Sequence, residues 1–156
     1  MIDLADLHIS RTVTVPVDAT KAYELVSDVT RMGEWSPVCK VCTWDEGAGA
    51  SAGSWFTGKN IAGEREWETR CEVVAAAPGE EIAWIVGGRD DGTTRWGYRF
   101  SPVEGGTEIE ESWQIVRLHE RMAEMTDEQV DKMKERTRTS IEGTLANLGV
   151  AMGAGA

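Results

Sequence analysis

The stretch Trp96-Gly97-Tyr98-Arg99-Phe100-Ser101-Pro102-Val103-Glu104-Gly105-Gly106-Thr107-Glu108-Ile109-Glu110-Glu111-Ser112-Trp113 reads as a β-hairpin, and its register decides the architecture. Large rings alternate with Gly or Arg from Trp96 to Phe100. Successive side chains on a strand point to opposite faces, so Trp96, Tyr98 and Phe100 share one side of the sheet. If Glu104 and Gly105 form the turn, Val103 faces Gly106. Phe100 then opposes Ile109, Tyr98 opposes Glu111, and Trp96 opposes Trp113, which keeps one face apolar on both strands. Arg95, Arg99, Glu108, Glu110 and Gln114 fall on the other face, where they suit solvent. Trp84 joins the ring-bearing row from the preceding strand.

Working outward, residues 8–15 (HISRTVTV) are rich in β-branched side chains and end at Pro16, the pattern of a first strand. Asp18 is placed to cap a helix running to about residue 28, with Ala22, Leu25, Val26 and Val29 as its apolar stripe. A second short helix is predicted over 30–35, stopped by Ser36-Pro37. Six strands follow over 38–44, 54–61, 66–76, 81–86, 93–103 and 107–116, joined by Gly- and Pro-bearing turns. Connections that short imply an antiparallel meander. A long helix is predicted from 127 to about 150. Thr126 and Gln129 have capping-box spacing, and Val130, Met133, Thr137, Ile141, Thr144 and Leu148 share one face. The expected fold is α+β, a curved seven-stranded antiparallel sheet around a C-terminal helix, with two short helices after the first strand. One helix cannot cover seven strands tightly, so a cavity between helix and sheet is expected.

Composition narrows the function. The chain has 156 residues, one domain's worth, with residues 8–150 read as the ordered core and 151–156 as a frayed tail. It carries 27 acidic against 16 basic residues, a net charge of −11, and no basic cluster rises above that background. Nucleic acid and anionic membranes are therefore poor partners. No apolar run approaches the roughly 18 residues needed to span a membrane. The acidic start Met1-Ile2-Asp3-Leu4-Ala5-Asp6 lacks the bases of a signal peptide, so a cytoplasmic location is expected. The three cysteines, an odd number, argue against a disulfide framework.

The order of elements and several local stretches resemble the START-like, or helix-grip, superfamily (SRPBCC), which includes birch-pollen-allergen-like proteins and bacterial polyketide cyclase/dehydrase-like proteins. The stretches are Val13-Thr14-Val15-Pro16-Val17-Asp18-Ala19, Ala22-Tyr23-Glu24-Leu25-Val26-Ser27-Asp28, Met32-Gly33-Glu34-Trp35-Ser36-Pro37, Gly105-Gly106-Thr107-Glu108-Ile109 and Gly143-Thr144-Leu145-Ala146-Asn147-Leu148. They span almost the whole chain, and because they cap helices and form turns they speak for fold rather than activity. The resemblance implies a helix-grip fold with a hydrophobic cavity for lipid-like, polyketide-like or other aromatic ligands, and catalysis in only some members.

Candidate site residues follow from the register. Trp67, Trp84, Trp96, Phe100 and Trp113 are expected to give ring contacts, Tyr98 and Glu111 the polar fixing point, and Met133, Thr137, Ile141 and Thr144 the helix wall. Burying one Trp ring removes about 150–250 Å² from water, worth about 4–6 kcal/mol as an upper bound, so core packing alone also accounts for such residues. Glu111 is anomalous, a carboxylate on the apolar side between Ile109 and Trp113. It is a polar anchor for a ligand, a general acid or base, or a Glu near the sheet rim or turned outward by a bulge.

Cys39 and Cys42 form a CxxC, which invites a redox or zinc reading, but no second pair completes a metal site. On a strand residues three apart point to opposite faces, and a thioredoxin-like CxxC would instead open a helix. No metal and no cofactor are expected. His119, with Met122 and Met125, lies in the 117–125 link, which is either a lid over the cavity mouth or a plain surface loop. Three functions stay open. One is binding of a small hydrophobic molecule, and another is polyketide aromatase/cyclase or dehydratase chemistry at Glu111 and Tyr98. The third, a protein-binding chaperone or coactivator of the same fold, ranks last because the outward strand positions are mostly charged.

Overall fold

The computed structural model describes residues 2–47 and 49–153. Strand β1 (His8–Val15) is followed by helix α1 (Ala19–Ser27), whose first turn is held by the Lys21 N–H donating to the Asp18 carboxylate at 2.8 Å. A 3-10 helix spans Val29–Glu34, where a short helix was expected one residue later. Six strands then run as a meander: β2 (Cys39–Trp44), β3 (Trp55–Ala62), β4 (Arg65–Ala77), β5 (Glu81–Val86), β6 (Thr94–Val103) and β7 (Gly106–Ile115). The short helix α2 (Glu120–Ala123) leads into α3 (Asp127–Ala151), which opens with the expected capping box between Thr126 and Gln129. The connection between the strands expected over 38–44 and 54–61 contains residue 48, and the expected frayed tail contains residues 154–156; these lie outside the described residues. Met152, placed in that tail by the sequence, instead caps α3 and is buried in the core.

All seven strands form one antiparallel sheet in the order β1-β7-β6-β5-β4-β3-β2, so the first strand closes onto the last. The β6–β7 register is the predicted one: Phe100 opposes Ile109, Tyr98 opposes Glu111, and Trp96 opposes Trp113. Trp84 pairs with Trp96 across β5 and β6, which completes the ring-bearing row. Gly106 lets the hairpin meet β1: a Cβ there would stand 1.9 Å from the Val15 carbonyl oxygen. Next to it, the buried Thr107 hydroxyl donates to the Val17 carbonyl at 2.8 Å.

The helices cover this sheet unevenly. Helix α1 packs on β5, β6 and β7, while α3 packs on β1 and β7, and the 3-10 helix packs on β2. Every buried residue of α3 lies in its second half, beginning at Ile141. Asn147 ties that half to the 3-10 segment by donating to the Trp35 carbonyl at 2.9 Å. The first half of α3 therefore stands off the concave face, and a cavity lies beneath it.

Candidate functional site

The cavity has a volume of about 380 Å³. Strands β2 to β7 each give it at least one side chain, and α3 gives Met133, Arg136, Thr137 and Ser140, with Thr144 from its packed half. Its floor includes aromatic rings in mutual contact: Phe56 meets Trp84 edge-on at 5.3 Å between centroids, and Trp84 tilts against Tyr98 at 5.8 Å. Such contacts add to the area buried and hold the rings in place.

Eight of the residues chosen from sequence meet here: Trp67, Trp84, Trp96, Tyr98, Glu111, Met133, Thr137 and Thr144. Phe100, Trp113 and Ile141 do not reach the lining and are correspondingly removed from the candidate wall. Phe100 lies under α1, with Tyr23 edge-on at 5.7 Å. Trp113 sits on β7, where α3 packs down, and Ile141 is fully buried at the start of the packed half of α3.

Met32, Cys39, Cys42, Phe56, Asn60, Arg65 and Arg136 also line the cavity and were not singled out for it from sequence. Phe56, Gly58, Asn60 and Ala62 alternate along β3, so the same period of two that located Tyr98 and Glu111 identifies them. Arg136 and Ser140 follow Met133 at helical spacing.

Glu111 and Tyr98 are the polar centre. The Tyr98 hydroxyl donates to Glu111 Oε2 at 2.9 Å, and both side chains are buried. Glu111 Oε1 has no hydrogen-bond partner among the described residues. Burial pushes the Glu111 carboxyl up to about 8, against the lowering effect of the Tyr98 hydrogen bond. Burial, and then the neighbouring Glu111 charge, push the Tyr98 phenol well above its ordinary value, so it stays a donor. At neutral pH the cavity thus contains a protonated carboxyl with one oxygen free to bond a guest. Neither a rim position nor an outward bulge describes this residue: β6 and β7 pair without a break.

At the opposite extreme of exposure, Arg65 and Arg136 border the cavity and make no ion pair among the described residues. Arg65 lies over the Trp67 ring, 4.7 Å from its centroid.

The expectation that Cys39 and Cys42 point to opposite faces fails. The β2–β3 register shifts between Cys39 and Val41, so Lys40 is an extra residue and both thiols reach the cavity wall. The 117–125 link is no lid: Met122 is buried in the core, Met125 packs against it, and neither lines the cavity. His119 is exposed and caps α2, its Nδ1 accepting from the Met122 N–H at 3.3 Å. No helix is long and apolar enough to cross a membrane, and no group of three or more His, Cys, Asp or Glu is arranged to hold a metal ion, among the described residues.

An antiparallel sheet wrapped on a C-terminal helix, enclosing an apolar cavity with one buried carboxyl, defines a helix-grip protein of the START-like type. The chain belongs to the polyketide cyclase/dehydrase and lipid transport family, whose model matches residues 6–153. A polyketide-cyclase-like protein from Corynebacterium glutamicum, known from a solution NMR structure, is 37% identical over 91% of this chain and 88% of its own, with a TM-score of 0.65. The di-domain ARO/CYC protein of the steffimycin biosynthetic pathway is 13% identical, with a TM-score of 0.75 over 98% of this chain and 54% of its own. A major latex-like protein from Panax ginseng is 12% identical, with a TM-score of 0.66 over 93% of this chain and 96% of its own. At those last two identities the likeness is one of fold alone. A search of curated proteins returns no match.

Proposed function

We propose that this protein binds one small hydrophobic molecule, aromatic or polyketide-like, between the sheet and the first half of α3. The observation that carries this is Glu111 Oε1: a buried carboxyl oxygen without a partner, on the wall of a cavity that the rings of Phe56, Trp67, Trp84, Trp96 and Tyr98 also line. A buried polar atom left unbonded costs about 1–3 kcal/mol, and a guest carrying a carbonyl or hydroxyl oxygen supplies the missing partner. The cavity volume lies at the low end of the roughly 300–1,000 Å³ usual for ligand pockets. It suits a compact, flat molecule of a few rings better than an extended acyl chain. Arg65 and Arg136 favour an acidic substituent at the outer end of that molecule.

Tryptophan emission is the direct assay, because Trp67, Trp84 and Trp96 all line the cavity. Titration with aromatic polyketides, flavonoids and fatty acids is expected to quench or shift emission for ring compounds with an oxygen function. Glu111→Leu, which removes the free oxygen, is expected to weaken that binding about tenfold, one hydrogen bond's worth. Arg136→Ala is expected to weaken acidic ligands selectively. No response to any class at micromolar concentration removes the proposal.

A second function, cyclisation or dehydration of a bound polyketide, has one specific support. A carboxyl held at about 8 is close to the pH at which it works, as a general acid or base must be. Glu111 would move the proton and Tyr98 would donate to the developing enolate oxygen. Turnover unchanged by both Glu111→Gln and Tyr98→Phe excludes that assignment, whereas binding without turnover leaves the first proposal standing alone.

A further inference from the structure

The bulge at Lys40 creates a second feature that ligand binding does not explain. Cys39 and Cys42 lie with their sulfurs 2.8 Å apart, both buried and both on the cavity wall. Several contacts hold them there. Ser36 Oγ accepts from the N–H groups of Val38 and Cys39, at 3.2 and 2.9 Å, which fixes the start of the bulged strand. Gly58, paired with Cys42 across β2 and β3, leaves room beneath the sulfurs: a Cβ there would stand 3.3 Å from the Cys42 sulfur and 3.4 Å from that of Cys39.

A disulfide bond is about 2.05 Å long, whereas two thiolates sharing a tetrahedral zinc with bonds of about 2.3 Å stand about 3.8 Å apart. The observed spacing is closer to the first, and no cluster of three or more His, Cys, Asp or Glu ligands exists among the described residues. We propose that Cys39 and Cys42 form a redox-active dithiol that a small disulfide entering the cavity converts to an intramolecular disulfide. The Cys39 thiolate attacks one sulfur of the reagent RSSR, forming a mixed disulfide and releasing RS⁻, which takes up a proton. Cys42 then gives up its proton and attacks the Cys39 sulfur, releasing the second RS⁻, which is protonated in turn. Two electrons pass from the protein to the reagent: the dithiol becomes a disulfide, and RSSR becomes two RSH.

Cys39 is the more accessible of the two, 8% exposed against 2% for Cys42, so a disulfide in the cavity meets its sulfur first. The hydrogen bond between the two sulfurs also holds the Cys39 thiol below its ordinary value against the effect of burial, with the Lys40 charge adding to it. The same bond, together with burial, raises Cys42. Cys71 is also buried, but it is outside the cavity lining, and burial pushes its thiol up to about 12. It serves as the internal control.

The test uses the reduced full-length chain and bis(2-hydroxyethyl) disulfide, a small neutral reagent. Acid quenching and intact mass measurement are expected to show loss of two hydrogen atoms. A non-reducing tryptic map is expected to show the peptides cut apart after Lys40 still joined through Cys39 and Cys42, with Cys71 free. In Cys42→Ser the mixed disulfide is expected to accumulate at Cys39. In Cys39→Ser, Cys42 is expected to react at least about tenfold more slowly than Cys39 does in Cys42→Ser. The proposal is overturned if the folded wild-type chain keeps both thiols free while the guanidinium-unfolded chain reacts, or if the pairing involves Cys71. Equal rates in the two variants overturn the order of attack. The wild-type map needs no variant to fold.

Discussion

Replacing Glu111 by Gln removes one titrating group from the cavity wall while nearly preserving its side-chain shape, and the effect on stability depends on pH in a calculable way. In the folded protein the carboxyl titrates at about 8, raised chiefly by burial, against an ordinary value of 4.5. Below pH 4.5 it is protonated in both folded and unfolded chains and contributes no pH dependence. Between the two values the unfolded chain releases the proton and the folded chain keeps it, so stability falls as pH rises. At about 1.36 kcal/mol per tenfold step, the wild type loses about 3–4 kcal/mol relative to Glu111→Gln between about pH 5 and about pH 8, and the difference flattens above that. Urea denaturation of both proteins across this range measures it, and subtracting the two curves cancels every other titrating group. The absolute offset also contains the cost of placing an amide in the cavity, so the slope rather than the intercept is the quantity to compare. A difference that stays constant with pH to within about 0.5 kcal/mol refutes the claim that Glu111 is held protonated.

Tyr98→Phe removes the one hydrogen bond that lowers the Glu111 value, so the pH-dependent loss is expected to extend above pH 8, with a cost of about 1–2 kcal/mol where the carboxyl is protonated; NMR titration of the Glu111 side-chain carbonyl reads the shift directly. Gly106→Ala puts a Cβ against the Val15 carbonyl, a backbone atom that cannot rotate away, and is expected to cost about 2 kcal/mol or more in denaturant unfolding at every pH.

The parts of the fold legible in the sequence were those written in short periods. Alternation from Trp96 to Phe100, with Glu104 and Gly105 at the turn, specified the β6–β7 register and thus placed Tyr98 opposite Glu111. Face membership, however, does not say how the helices close over the face. Phe100 and Tyr98 share one side of β6, yet α1 covers the first and leaves the second on the cavity. Ile141 and Thr137 share a side of α3, but the helix has reached the sheet by Ile141. The bulge at Lys40 was equally hidden. It depends on how the 3-10 helix and β3 seat the strand, and nothing in Cys39-Lys40-Val41-Cys42 itself departs from strand chemistry.

The balance at Glu111 explains why a filled core is a poor account of this region. In a packed interior, an apolar side chain of similar size avoids both the desolvation of the carboxyl and the unbonded Oε1, so stability alone favours replacement. The carboxyl instead lies where the helix stands off and space remains beside it. The cost is then a property of the empty protein and is offset when a guest bonds the free oxygen. A guest that accepts the carboxyl proton in a hydrogen bond favours the neutral form and binds best below about pH 8, whereas one that donates a hydroxyl favours the carboxylate and gains as pH rises. The sign of the pH dependence therefore reports which oxygen chemistry the cavity selects, independently of how tightly the rings hold the rest of the molecule.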